Sequence, residues 1–216
     1  MTEDEARKLL TDAMRTLDAR GLNRGTSGNI SMRFGSGMLV TPSGVTPDRL
    51  TPDLMVFVDR DGSVAEGAAR PSSEWRMHMG VYNRRADANA IVHCHARYST
   101  ILACAHLEIP PLHYMVAVSG GASVPVAPYA TFGSEELAAG VVETLEGRYA
   151  CLMANHGLIT LAPALPLAMA IAEEIEEQAA VYCGTFAVGG PKLLEEAEME
   201  RILGAFRQYG QKKADS

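Results

Sequence analysis

The chain has 216 residues, enough for one domain with a substantial hydrophobic core or for two small ones. Its formal net charge of −7, without a basic run to offset it, argues against a nucleic-acid-binding surface. Prolines and glutamates interrupt its apolar stretches, and its acidic N-terminus lacks the layout of a signal peptide, so we expect no membrane partner and a cytoplasmic location.

Helical and strand patterns alternate along the whole chain without a linker or an internal repeat. They predict a single domain over residues 1–216, in which residues 210–216 form a flexible tail. The segment TEDEARKLLTDAMRTLDARG predicts the first helix, because Thr2 and Glu5 have the spacing of a capping box and Gly21 is typical of a helix end. Short strands are predicted at NISMRF, GMLVT and LMVFVD, and a second helix is predicted from Ser72 or Ser73 through EWRMHMGVYNRR.

The second half of the chain continues this alternation. A strand carries the histidines of AIVHCHA, and a short helix around YSTILACA and a strand near VPVAP follow it. Ser134 is the expected cap of a helix at SEELAAGVVETLEG, ACLMAN is typical of a buried strand, and a long helix begins near Leu165. The last helix has apolar residues at helical spacing, namely Met199, Ile202, Leu203 and Phe206. The pattern predicts an α/β domain in which a mixed sheet packs against helices.

Two histidines surround one cysteine in AIVHCHARYST. Side chains alternate faces along a strand, so His93 and His95 point the same way and Cys94 points the other way. A third histidine, His156, lies where a buried strand meets a turn, and strand ends hold side chains rigidly beside a cleft. Three imidazoles with one open or carboxylate position are typical of a catalytic zinc site, but core histidines that only satisfy hydrogen bonds explain the spacing equally well. The other histidines are interpreted as structural: His78, His106 and His113.

Three short polar segments in the first third of the chain are candidate anion-binding loops. In PSSEWRMH, two serines and Glu74 are expected in the cap and first turn of a helix, where free backbone N–H groups attract anions and the helix dipole stabilises a carboxylate. The segments GTSGNIS and TPSG combine glycines with small polar side chains. Each segment alone is explained by an ordinary cap or turn, whereas the three together favour a phosphate pocket.

Several ordered motifs across essentially the whole chain resemble those of the class II aldolase/adducin family, and in particular its bacterial members that act on fuculose phosphate. The motifs are GLNRGTSGNIS, GMLVTPSG, PSSEWRMHM, ADANAIVHCHA, IPPLHYM, PYATFGSEEL, NHGLI and FRQYG. The resemblance implies a three-layer α/β domain with a central, largely antiparallel mixed β-sheet covered by helices. It also implies a cyclic homotetramer with active sites at subunit boundaries.

The resemblance also assigns site residues. It implies that His93, His95 and His156 hold a zinc ion, with Glu74 as the fourth ligand, although Mn²⁺ or Co²⁺ fits the same donors. Tyr114 matches a catalytic tyrosine that a neighbouring subunit contributes. The substrate phosphate is expected to contact Thr26, Gly28, Asn29, Ser43, Gly44, Ser72 and Ser73, and the aldehyde side is expected to be lined by Phe132, Phe206 and Tyr209.

The implied reaction is the reversible cleavage of a ketose 1-phosphate into dihydroxyacetone phosphate and an aldehyde. Candidate substrates are L-fuculose 1-phosphate, 5-deoxyribulose 1-phosphate and 5-methylthioribulose 1-phosphate. Glu74 is expected to move a proton at the enediolate carbon, and Tyr114 to act as acid or base at the aldehyde oxygen. Asn155 and Ser43 depart from the most similar family members, in which His and Thr are expected, so substrate preference stays open.

Other activities and chemistries are alternatives to this one. On the same fold, a methylthioribulose-phosphate dehydratase or a pentulose-phosphate 4-epimerase is the enzyme alternative, and a metal-free adducin-like interaction module is the non-enzyme alternative. The lysines all lie outside the motifs, at Lys8, Lys192, Lys212 and Lys213. Their positions disfavour an aldolase that works through a lysine imine.

Overall fold

The computed structural model describes residues 1–206 and builds them into six α-helices around one seven-stranded sheet. The helices are α1 Glu3–Ala19, α2 Trp75–Arg84, α3 Arg97–Ala105, α4 Glu135–Thr144, α5 Leu165–Thr185 and α6 Glu196–Phe206. The strands are β1 Asn29–Phe34, β2 Gly37–Val40, β3 Val56–Val58, β4 Ala90–Cys94, β5 Val126–Ala127, β6 Ala150–Met153 and β7 Gly157–Ala162. The predicted tail at 210–216 and the predicted site residue Tyr209 lie outside the described residues.

The strands form a sheet in the order β3-β2-β1-β4-β7-β6-β5. Neighbouring strands are antiparallel except β5 and β6, which are parallel. Strand β4 lies in the middle, where His93 pairs with Asn29 of β1 on one side and with Ile159 of β7 on the other. The predicted largely antiparallel mixed sheet is confirmed, and the strand that carries the histidines is held along both edges.

Helices cover both faces of the sheet and form two hydrophobic cores. Helices α1, α3 and α5 pack on one face, and α2 and α4 pack on the other. Along β4, Ala90, Val92 and Cys94 belong to the first core, whereas Ile91 belongs to the second. His93 has the same parity as Ile91 and therefore points towards the α2 side. The predicted three-layer α/β architecture is confirmed, and it directs this histidine towards the N-terminus of α2.

The predicted caps of α1 and α4 are confirmed. The Thr2 hydroxyl accepts a hydrogen bond from the Glu5 N–H, and the Glu5 carboxylate accepts one from the Thr2 N–H. In α4, the Ser134 hydroxyl accepts from the Leu137 N–H at 3.0 Å. Both helices therefore begin where short-range sequence signals indicate.

The start of α2 differs from the prediction. The helix begins at Trp75 with Glu74 at its N-cap, rather than at Ser72 or Ser73. The Ser72 N–H donates to the Thr41 carbonyl at 3.0 Å, which pairs this segment with the loop after β2. This backbone bond keeps Ser72 out of the helix, and a turn in which the Trp75 N–H donates to the Ser72 carbonyl at 3.1 Å follows it. Helical geometry therefore starts only after Glu74, which lies at the N-cap position, without a side-chain capping bond, instead of in the first turn.

Helix α5 is the longest of the described helices, with 21 residues, and its middle carries several glutamates. Within residues 1–206, no helix combines the length and the apolar character that crossing a bilayer requires.

Candidate active site

Three histidines converge at one end of the central strands. His93 lies near the end of β4, His95 follows that strand, and His156 immediately precedes the antiparallel neighbour β7. Their ring centroids are 4.9, 4.8 and 4.9 Å apart, and one nitrogen of each ring lies within 4.8 Å of the others. Because antiparallel pairing places the start of β7 beside the end of β4, the sheet brings together the three predicted metal ligands.

Gly157 permits this close approach of the two strands. A Cβ atom on Gly157 would lie 2.6 Å from the Cys94 carbonyl oxygen and 3.1 Å from Cδ2 of His95. A larger residue after His156 would therefore displace either the strand or the ring. The close packing of these two strands at the site therefore explains why glycine follows the histidine in NHG.

The hydrogen bond made by His93 determines which of its nitrogens can bind a cation. Its Nδ1 lies 2.9 Å from the Leu158 carbonyl oxygen, which can only accept, so Nδ1 carries the hydrogen and Nε2 keeps its lone pair in the neutral ring. This Nε2 lies 3.1 Å from Nε2 of His95. Two lone pairs at that distance repel each other unless a proton or a cation lies between them, so the rings fit a shared divalent ion.

Glu74 adds a carboxylate to the three rings. Its Oε2 lies 3.2 Å from His93 Nε2, and its Oε1 lies 3.1 Å from His156 Nε2. Apart from that contact, Oε1 is buried without a hydrogen-bond partner among residues 1–206. A buried carboxylate oxygen without a donor is costly, and a cation at this position would satisfy it. The four predicted ligands therefore fit a divalent metal ion.

The charges of these groups depend on one another. Burial would raise the pKa of Glu74, but the adjacent His93 and His156 lower it well below its usual range, so the carboxyl group is ionised. Burial and the two neighbouring histidines lower the pKa of His95 to about 4, so its lone pair is available at neutral pH. Burial would also lower the pKa of His93, but Glu74 raises it. An ionised carboxylate thus faces imidazole donors, a set that suits zinc and similar divalent ions.

Backbone pairing brings the three candidate anion-binding loops beside the histidines. These loops precede β1, follow β2 and precede α2. The Thr41 N–H donates to the Ile30 carbonyl at 3.1 Å, and the Ser43 N–H donates to the Arg70 carbonyl at 2.9 Å. Together with the bond from Ser72 to Thr41, these contacts place the small polar side chains of all three loops at the edge of the sheet where the histidines lie.

One pocket of about 310 Å³ is lined by these loops and by three of the four metal-ligand candidates. His95, His156 and Glu74 reach its surface, and Phe132 lies on its wall. Every residue predicted to contact phosphate also lines it: Thr26, Gly28, Asn29, Ser43, Gly44, Ser72 and Ser73. Neither lysine nor arginine lines the pocket within the described part of the chain. Hydroxyl and N–H groups are therefore what it offers to an anion, and their binding of phosphate stays a prediction.

We expect Gly28→Ala to lower the free energy of unfolding by about 2–5 kcal/mol. Gly28 has a φ of +72°, and a Cβ there would lie 2.4 Å from Asn23 Oδ1 and 2.8 Å from the His93 carbonyl oxygen. A left-handed conformation costs an L-residue roughly 1–2 kcal/mol, and overpacking adds about 1–3 kcal/mol. Urea denaturation measures the loss.

The matched control for this substitution is Gly21→Ala. Gly21 has a φ of +73°, and a Cβ there would meet nothing within 4 Å. It therefore carries the conformational cost without the steric one and should lose only about 1–2 kcal/mol. Equal losses in the two variants would contradict the close approach at Gly28.

Two predicted residues lie elsewhere on the single chain. Tyr114 is half exposed at the start of a 3₁₀ segment, Tyr114–Ser119. With Phe206 it lines a second, apolar pocket, and neither residue lines the pocket of the histidines. The resemblance assigns Tyr114 to the site of a neighbouring subunit, so its catalytic role stays a prediction, as does the role of Phe206.

Three residues at or behind the pocket were not predicted. Tyr129, which is 61% exposed, lines the pocket, and only its place in the motif PYATFGSEEL signals it. Asn155 also lines the pocket, and its Oδ1 accepts a hydrogen bond from His106 Nε2 at 2.6 Å. His78 is fully buried and contacts the pocket residue Asn29. The last two contacts join segments far apart in sequence, so no local pattern indicates them.

Comparisons with known proteins assign the chain to a family. Residues 8–183 match the family described as Class II Aldolase and Adducin N-terminal domain. A 5-methylthioribulose-1-phosphate/5-deoxyribulose-1-phosphate aldolase of Rhodospirillum rubrum is 45% identical over 201 residues, which are 93% of this chain and 90% of that protein. An L-fuculose phosphate aldolase of Escherichia coli K12 is 42% identical over 211 residues, 97% of this chain and 98% of that protein.

A solved structure of an L-fuculose 1-phosphate aldolase has a TM-score of 0.91 to this chain at 40% identity. The match covers 94% of this chain and 96% of that one. Sequence and fold thus agree over nearly the full length, and the chain belongs to the class II aldolase and adducin family.

Proposed function

We propose that the protein is a zinc-dependent class II aldolase that reversibly cleaves a ketose or deoxyketose 1-phosphate into dihydroxyacetone phosphate and an aldehyde. One observation carries the proposal: three imidazoles and a buried carboxylate converge beside a pocket whose polar loops suit a phosphate group. Relatives that are more than 40% identical are named as sugar-phosphate aldolases, which supports the same reaction.

The phosphate group would be held at a distance from the bond that breaks. The hydroxyl groups of Ser43, Ser72 and Ser73 line the pocket beside glycine-rich backbone, where they can orient a phosphate oxygen. Such contacts do not change during the reaction. They contribute by alignment, which in well-oriented systems is worth roughly 7–11 kcal/mol of the barrier.

His93, His95 and His156 would hold the cation, and as neutral donors they leave its positive charge undiminished. When bound, the divalent ion supplies Lewis acidity for the negative charge that develops on the C2 oxygen of the ketose as the C3–C4 bond breaks. The absence of lysine from the described pocket supports this chemistry over an imine mechanism.

Two side chains would move protons. Glu74 lines the pocket, and apart from its contact with His156 its Oε1 has no hydrogen-bond partner among residues 1–206. As an ionised carboxylate it is suited to remove a proton from C3 of dihydroxyacetone phosphate in the condensation direction and, once protonated, to return that proton to C3 in cleavage. Tyr114 of a neighbouring subunit would take the proton from the C4 hydroxyl oxygen as the aldehyde forms. The half-exposed position of Tyr114 supports its availability to a second chain.

The assembly and location belong to the same proposal. A cyclic homotetramer with sites at subunit boundaries would bring Tyr114 and Phe206 of one chain to the histidines of another. Free thiols, including the exposed Cys104, are consistent with work in the reducing cytoplasm. A mass measurement of the native protein in solution tests the tetramer.

The terminal group of the aldehyde would contact aromatic side chains. Tyr129 and Phe132 line the pocket and are 61% and 67% exposed. A terminal methyl or methylthio group packed there gains about 0.8 kcal/mol per buried carbon. Such contacts support only about 10- to 200-fold discrimination, so L-fuculose, 5-deoxyribulose and 5-methylthioribulose 1-phosphates are all proposed substrates.

A cleavage assay across these substrates, with rhamnulose and ribulose 1-phosphates added, tests the function. Dihydroxyacetone phosphate is trapped as it forms by an NADH-dependent reductase, and we expect its release from at least one deoxyketose phosphate. A 4-epimerase would return an isomer without net triose, and a dehydratase would release water with the carbon skeleton intact. No triose release from any of the five would refute the aldolase proposal.

Metal analysis of the purified protein separates the aldolase from a metal-free interaction module. We expect about one divalent ion per chain, held by the three histidines. A protein that binds neither zinc nor manganese nor cobalt would favour the module.

A further inference from the structure

A chain of buried polar side chains leads from Glu74 into the interior of the domain. Asn29 Nδ2 donates to Glu74 Oε2 at 2.9 Å, and His78 Nε2 lies 2.6 Å from Asn29 Oδ1. On the other side of the ring, His78 Nδ1 lies 2.7 Å from Ser31 Oγ, which lies 2.8 Å from the Tyr82 hydroxyl. His78 and Ser31 are fully buried, so each depends on its neighbours rather than on water.

The direction of each hydrogen bond follows from the chemistry of the groups. The amide oxygen of Asn29 can only accept, so His78 Nε2 must donate. Burial, reinforced by the nearby His93, lowers the pKa of His78 to about 3, so the ring is neutral and its Nδ1 accepts. Ser31 must then donate to Nδ1, and its oxygen accepts from Tyr82.

The tautomer of His78 therefore controls which end of the Asn29 amide faces Glu74. With hydrogen on Nδ1 instead, the Nε2 lone pair would face the amide oxygen of Asn29 at 2.6 Å, and the two would repel. Rotation of the amide would relieve that contact, but it would present the amide oxygen to the carboxylate of Glu74. Only the Nε2–H tautomer of His78 gives the Asn29 amide oxygen a donor and also leaves the Asn29 N–H facing the carboxylate of Glu74.

We propose that His78 is a positioning residue for Glu74, because its Nε2–H fixes the Asn29 amide so that an N–H anchors Oε2 and leaves Oε1 directed at the cation site. This inference rests on the proposed function of Glu74. His78 does not line the pocket, so it acts through Asn29. Under this proposal Asn29 anchors Glu74 in addition to its predicted contact with phosphate.

Two substitutions of His78 test the role. His78→Met removes the donor at similar side-chain volume, whereas His78→Gln keeps an N–H at a similar reach from the backbone. Loss of a group that orients a metal ligand costs about 10- to 100-fold in affinity or activity. We expect a loss of that size in kcat and in zinc affinity for His78→Met, with KM little changed, and values close to wild type for His78→Gln.

Ser31→Ala and Tyr82→Phe form a matched pair, because each removes one buried hydroxyl. Only Ser31→Ala removes the donor to His78 Nδ1, so we expect it to reproduce the loss in kcat and zinc affinity. Tyr82→Phe leaves that donor in place and should keep wild-type values. Nitrogen NMR of histidine-labelled, metal-free wild-type protein should show His78 as the Nε2–H tautomer.

Zinc affinity is measured by competition with a coloured chelator, without substrate, so it does not depend on the aldolase reaction. Wild-type zinc affinity and kcat in folded His78→Met would overturn the positioning role, and so would an Nδ1–H tautomer in the wild type. If His78→Met does not fold, the Ser31 and Tyr82 pair decides, and equal effects of those two variants would overturn the role. Weakened zinc binding in His78→Met, with no triose released from any sugar phosphate, would support the role and refute the aldolase.

Discussion

Replacing His156 with alanine is expected to slow sugar-phosphate cleavage about a thousandfold and to remove stoichiometric zinc. Lewis-acid stabilisation is worth several kcal/mol, and each 1.4 kcal/mol is roughly a factor of ten in rate. His156 is the suitable ligand to remove because its side chain is 12% exposed, whereas that of His93 is completely buried. The substitution should therefore delete a ligand without opening a cavity in the core. Triose release and metal content of the purified protein are the two measurements.

Cys104→Ala is the control for this variant. Cys104 is the exposed thiol of α3 and does not line the pocket, yet a thiolate is also a common zinc ligand. We expect this variant to keep its zinc and its rate. Full zinc content in His156→Ala, or loss of zinc from Cys104→Ala, would place the metal elsewhere.

Glu74→Gln is expected to lower kcat by about 10²- to 10⁴-fold, the usual contribution of a positioned acid or base. The amide keeps the size of the side chain and an oxygen that accepts from Asn29 Nδ2, so the pocket shape is preserved. It cannot exchange a proton as a carboxylate does. Inorganic phosphate should bind with nearly unchanged affinity, because the polar loops do not depend on this charge. Stopped assays for kcat and phosphate titration by calorimetry measure the two quantities.

The matched control is Glu146→Gln. Glu146 is an exposed glutamate that pairs with Arg84 at 3.2 Å, and exposed pairs contribute about 0–1 kcal/mol. It should leave both kcat and phosphate binding unchanged. Parallel losses of kcat and phosphate affinity in Glu74→Gln would instead indicate that Glu74 only maintains the structure of the pocket.

Local patterns predicted much of the secondary structure. The capping box of Thr2 and Glu5 and the cap at Ser134 depend on residues three positions apart, and both are confirmed. The start of α2 was predicted wrongly, because the bond from Ser72 to Thr41 joins segments that the sequence does not show to be adjacent. Short-range signals are sufficient only where no distant backbone group competes for the same N–H.

In the candidate site, too, the sequence indicated the residue types and the fold decided the contacts between distant segments. The motifs identified the family. The residues expected around phosphate line one pocket with His95, His156 and Glu74, and His93 lies buried behind these ligands, although all these roles stay predictions. The role proposed for His78 was not predicted, since a lone histidine on a helix most often only satisfies hydrogen bonds in the core. Its contact with Asn29 exists because β1 and α2 pack against each other.

The sequence by itself determined the alternation of strands and helices, the parity that separates His93 from Cys94, and the set of residue types needed for metal and phosphate. These depend on neighbours along the chain and on side-chain chemistry. Only the tertiary structure decided that His156 meets the other two rings, that Asn29 presents its N–H to Glu74, and that Tyr114 lies away from the pocket of its own chain. Those facts depend on strand pairing and packing between distant segments, and no local pattern specifies them.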